Sequence, residues 1–97
     1  MEKVTDKQLQ EFLKTQPNWV SENNVIIRKV KFKDFKTAFS AMTAMAFEAE
    51  ALGHHPEWTN VYSSLDIRLS THDEGNTVTT KDTDLAKRIE HIISVFE

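Results

Sequence analysis

The spacing of apolar residues along the chain changes several times, and each change predicts an element. In "TDKQLQEFLKTQPNW", Leu9, Phe12 and Leu13 fall on one helical stripe. Thr5 and Gln8 have capping-box spacing, which starts the helix, and Pro17 disfavours helix at the residue before it. Trp19 opens an extended segment, as a core anchor or as a pocket wall, and "SENN" predicts a turn through Asn23 and Asn24. Val25 to Phe32 is β-branched and predicts a strand with Ile26, Val30 and Phe32 on one face, which Arg28 interrupts. In "DFKTAFSAMTAMAFEAEALG", Phe35, Phe39, Met42, Ala46 and Ala49 recur at helical spacing and predict the buried stripe of a long helix. Gly53 stands where a left-handed cap closes that helix.

Alternation of period two follows. "EWTNVYSSLDIRLSTH" predicts two strands joined near Tyr62–Ser64. Leu65, Ile67, Leu69 and Thr71 share one face, and Asp66, Arg68, Ser70 and His72 the other. Asp73 to Asn76 predict a loop. The last segment returns to helical spacing, with Leu85, Ile89, Ile92 and Phe96 on its apolar face and Thr79 and Asp82 as a second capping box. The order α-β-β-α-β-β-α predicts an α+β fold: one domain over residues 1–97, a four-stranded antiparallel sheet with three helices on one face.

Composition narrows the function classes. The 97 residues suffice for one modest core, which oligomerisation would enlarge. The chain has no cysteine, so disulfides, thiolate catalysis and cysteine-held metals are excluded. A net charge of −3 argues against charge-driven nucleic-acid binding, and the basic run Arg28–Lys36 reads as a solvated face. No apolar run approaches the ~20 residues of a membrane span. The first ten residues lack the apolar core of a signal peptide, so a cytoplasmic location is expected, without a membrane partner.

The stretch "LGHHPEWTNVY" carries the candidate chemistry. His54 and His55 follow a helix cap, and Pro56 holds His55 extended, so the two imidazoles diverge. His72 ends the next hairpin and can return to the pair if that hairpin folds back. His91 sits about 200° around the last helix from Ile89 and is expected to face solvent. Three gathered histidines could serve metal-free proton transfer, since an ordinary imidazole titrates near pH ~6.5. They could also hold a zinc ion. Incidental histidines remain the third reading, and pattern alone leaves all three open.

The motifs "HHPEWTNVY" and "LSTHD", with "FKDF…AF…MT…AEALG" before them and "KD..LA" after, resemble the pterin-4a-carbinolamine dehydratase family from about Trp19 to the last helix. The resemblance implies the same order of elements, assembly into homodimers or homotetramers, and dehydration of 4a-hydroxytetrahydropterin to quinonoid dihydropterin without a cofactor or metal. It implies His54, His55 and His72 as catalytic residues. It also implies Trp19, Glu50, Pro56, Lys81 and Asp82 around the substrate, with Glu50 read as a salt-bridge partner or histidine orienter and Asp82 also explained as a cap. Here the loop "DEGNTVTTK" is one residue longer than the family's usual loop, with Asn76–Thr77 in place of its small-residue pair. Water leaves the carbinolamine when N5 gives up a proton and the 4a-hydroxyl receives one. His54 and His72 are expected to be that acid–base pair, with His55 holding the hydroxyl or the ring and Trp58 packing. The rival readings are a protein-interaction module, such as a dimerisation cofactor or transcriptional coactivator, and a zinc hydrolase.

Overall fold

The computed structural model describes residues 2–97. The elements run α1 (Asp6–Thr15), β1 (Val20–Glu22), β2 (Val25–Lys31), α2 (Phe35–Leu52), β3 (Glu57–Val61), β4 (Ser64–Leu69), a 3₁₀ turn (His72–Glu74) and α3 (Thr80–Phe96). The sheet is antiparallel in the order β1-β2-β4-β3, with three helices on one face, as the sequence predicts. The order puts β4 at the centre, so the residues that leave its end enter a fixed environment.

Local chemistry places the boundaries. Thr5 and Gln8 form the expected capping box of α1. Gly53 closes α2 at φ 63°, a left-handed conformation that glycine adopts without a Cβ penalty. Asn23 and Asn24, both at positive φ, make the β1–β2 turn. Pairing of Ile27 with Arg68 and of Glu57 with Arg68 fixes the registers on both sides of β4.

Ile26, Leu65, Ile67 and Leu69 form the helix-facing side of the sheet. Ala38, Ala41, Met45 and Ala49 of α2 close on them with Leu85, Ala86, Ile89 and Ile93 of α3. This corrects the expected stripe of α2. Phe35 and Phe39 are 48% and 54% exposed, Ala46 is exposed, and Met42 is half-buried; of the expected set only Ala49 is buried. Small alanines let α2 lie close to the sheet, which turns the bulky phenylalanines outward. On α3 a related shift buries Ile93, while Ile92 and Phe96 stay half-buried.

Arg28 interrupts its strand face for a physical reason. Its guanidinium reaches through the core layer to Glu90 of α3, with Nε to Oε1 at 2.9 Å and Nη2 to Oε2 at 3.1 Å. Glu90 also accepts from the Trp19 indole N–H at 2.9 Å. Burial pushes the Glu90 carboxyl upward, but hydrogen bonds from Arg28 and Trp19 and the Arg28 charge outweigh it and leave it below its ordinary value.

Candidate active site

Gly53 turns the chain off α2, and Pro56 leads it into β3, so the two histidines between them stand at the edge of the sheet. They diverge, as extended backbone requires. The His54 side chain is 11% exposed and turns inward to the start of α3, where Nε2 lies 2.5 Å from Asp82 Oδ1. His55 turns outward, and its Nε2 lies 2.9 Å from Glu50 Oε1 near the end of α2.

Asp82 is buried and accepts from three directions. The Thr79 backbone N–H (2.9 Å) and the Thr71 hydroxyl (2.8 Å) both donate to Oδ2. With its one proton spent on Asp82, Thr71 accepts from the Thr79 hydroxyl at 2.8 Å. A carboxylate surrounded by donors stays an acceptor, so the proton between His54 and Asp82 sits on His54 Nε2. The tautomer follows, and Nδ1 is the His54 nitrogen left for other work. The same carboxylate completes the capping box of α3 with Thr79, so one residue caps the helix and orients the imidazole.

His72 begins the 3₁₀ turn immediately after Thr71, which places it one residue from this network. Its Nδ1 donates to Asn76 Oδ1 at 2.6 Å and leaves Nε2 open. The loop closes on itself: Gly75 and Asn76 both take positive φ, and Thr77 pairs back with Thr71. Beyond this closed loop, Asp82 reaches His54.

His55, Pro56 and His72 line a cavity of about 240 Å³ with Glu57, Arg68 and Ser70. Two of the three histidines therefore share a wall; His54 is not among the residues that line this cavity and turns instead to Asp82. Trp19 is placed elsewhere: it is 2% exposed, packed edge-on to Phe12 and bonded to Glu90. It is the core anchor of the two alternatives. Lys81 gives its backbone N–H to the Thr79 cap, and its ammonium makes no ion pair among the described residues. Trp58 packs against the core cluster on the helix side. His91 is exposed, as expected. Sequence reasoning missed Thr71, Glu57 and Arg68 as parts of the site. The strand alternation that put Arg68 on the His72 face was the available signal.

The family model described as pterin 4 alpha carbinolamine dehydratase matches residues 2–92. The chain belongs to the pterin-4a-carbinolamine dehydratase family. Proteins named "Putative pterin-4-alpha-carbinolamine dehydratase" resemble it closely. That of Opitutus terrae is 45% identical over 89 residues, covering 92% of each chain. That of Christiangramia forsetii is 45% identical over 93 residues, covering 96% of this chain and 95% of its own. A crystal structure described as transcriptional coactivator/pterin dehydratase from Brucella melitensis superposes with a TM-score of 0.88 at 40% identity, covering 93% of this chain and 97% of that one. Of the three histidines, His54 is the one held by a buried carboxylate.

Proposed function

We propose that this chain dehydrates 4a-hydroxytetrahydropterin to quinonoid dihydropterin and water, with His54 and His72 exchanging the protons. The observation that carries this reading is the His54–Asp82 pair. A buried carboxylate bonded to one imidazole nitrogen fixes the tautomer and stabilises the ring when it gains a proton. His54 Nδ1 and His72 Nε2, which have no hydrogen-bond partner among the described residues, are the two nitrogens of such a pair. One takes the proton of N5, whose electron pair forms the C4a=N5 bond, and the other delivers one to the 4a-hydroxyl, so the C4a–O bond breaks and water leaves. Both product and catalyst are then balanced after one proton passes back through solvent. His55, exposed and tied only to the exposed Glu50, holds the hydroxyl or the ring. His54→Ala and His72→Ala should each lower kcat about 10²-fold, and His55→Ala should mainly raise KM. Rapid-mixing assays on the purified protein read both; unchanged kcat in the His54 and His72 variants refutes the pairing.

The recycling of a tetrahydropterin cofactor and a cytoplasmic location complete the proposal. In support of the location, no helix among the described residues is long and apolar enough to cross a membrane. We also infer a homo-oligomer. Phe39, Met42, Ala46 and Phe47 of α2 form an apolar groove of about 460 Å³ with Trp58. Monomers rarely leave such a face open. A second copy in antiparallel orientation is the occupant proposed, because the chain entering α2 carries Lys33 and Lys36 against the one capping acid Asp34, and the helix is acidic near its end (Glu48, Glu50). Two antiparallel copies set unlike charges against each other.

A further inference from the structure

The cavity beside the histidines contains two charged residues to which no role has yet been given. Glu57 and Arg68 stand directly opposite each other across the β3–β4 pair, and both line the cavity with His55 and His72. They do not neutralise each other: among the described residues Glu57 has no cation within 4.0 Å, and Arg68 is held instead by Asp66, two residues away on the same strand face. Asp66 takes Arg68 Nε at 3.0 Å and Nη2 at 3.5 Å, which fixes the guanidinium plane. The remaining nitrogen, Nη1, has no protein acceptor among the described residues. The hydrogen bond and charge of Asp66, with Glu22 and Glu57 adding to them, hold the guanidinium above its ordinary pKa, so it stays a donor at any working pH.

We propose that Arg68 and Glu57 form a clamp for the pyrimidine half of the pterin, the half that does not react. That half is a 2-amino-4-oxo ring. Its amino group and N3–H are adjacent donors, and a carboxylate accepts both at once. Its carbonyl oxygen is an acceptor one bond further on, within reach of a guanidinium donor. The cavity presents one rigid donor and one acceptor-only group opposite it, which is the complement of that edge. Ser70, on the same wall, adds a hydroxyl. With this edge gripped on the sheet, the ring's other half is turned to the histidines. The clamp binds substrate and transition state alike, so it sets affinity and selectivity rather than turnover.

This inference rests on the pterin reading above, and its test separates the two. The probe is a 7,8-dihydropterin, which lacks the 4a-hydroxyl and reports binding without turnover by its fluorescence. Glu57→Gln and Arg68→Leu should each raise the probe Kd and the substrate KM about tenfold, the loss of one charge-assisted hydrogen bond, with kcat held within about threefold. A probe without its 2-amino group should bind the wild type about tenfold more weakly, yet bind Glu57→Ala within about twofold of the parent probe, because the partner is already gone. Thermal melts confirm that each variant folds, and Arg68→Lys, which keeps the charge but loses the fork, serves if Arg68→Leu does not fold; it should raise the Kd about fivefold. A wild type that binds the probe but does not speed the loss of 4a-hydroxytetrahydropterin refutes the dehydratase reading, and the clamp then stands or falls on the Kd of the Glu57 and Arg68 variants. A wild type that does not bind the probe overturns both. Kd and KM unchanged in both charge variants, or a fall in kcat alone, overturns the clamp.

Discussion

The bonding of Asp82 joins a helix cap to the candidate site. Oδ2 belongs to the start of α3, and Oδ1 belongs to His54. Asp82→Asn keeps the shape but brings a donor to Oδ1 or Oδ2, where N–H and O–H groups already point. The expected result is a fall in kcat of about 10–100-fold with a smaller change in probe affinity, measured by stopped flow and fluorescence titration. Thr71→Val removes a donor from Asp82 and an acceptor from Thr79 without a change of volume. It should destabilise the fold by about 1–3 kcal/mol in urea unfolding, the cost of buried polar groups left unpaired. Residue types and spacing made the histidines, Pro56 and the capping box legible in the sequence. Both roles of Asp82, cap and site residue, were also read there, but its bond to His54 and its support by Thr71 were not, because those partners lie 28 and 11 residues away.

At the scale of elements, β2 and α3 are joined by charge as well as by apolar packing. Glu90 has a lowered carboxyl pKa in the folded state, so its contribution is present above the unfolded value near 4.5 and is lost as pH falls through the lower folded value. Acid unfolding of the wild type should therefore steepen below about pH 4.5, and Glu90→Gln should lose that part of the pH dependence. Glu90→Ala should cost about 2–3 kcal/mol, under the ~3–5 of a fully buried pair because its side chain keeps 21% exposure. Chemical denaturation at several pH values measures both. The order of elements and both capping boxes could be read from the sequence, because they rest on contacts within a few residues. The buried face of α2 could not. That helix is apolar on two sides, and periodicity alone favours the bulkier residues, whereas closeness to the sheet selects Ala38, Ala41, Met45 and Ala49. Trp19 shows a similar limit, since its indole partner lies 71 residues away.

For the whole molecule, the outward face of α2 borders both the apolar groove proposed for a second copy and the candidate site. Glu50 borders the apolar groove and also holds His55. Phe39→Glu puts a charge in the middle of the groove. If the proposed second copy sits in this groove, light scattering should show a smaller assembly than the wild type, and KM should rise because the copy would border the Glu50–His55 contact. An unchanged mass means that another surface holds the oligomer, or that none does. The most direct measurement is of the reaction itself: stopped-flow loss of 4a-hydroxytetrahydropterin near pH 7 with wild type, with the His54→Ala/His72→Ala double variant, and without protein. The expected result is a wild-type rate well above spontaneous decay and a double variant with kcat reduced at least about 10²-fold. A wild-type trace that overlays spontaneous decay, or a double variant that keeps near-wild-type turnover, contradicts imidazole proton transfer at this site.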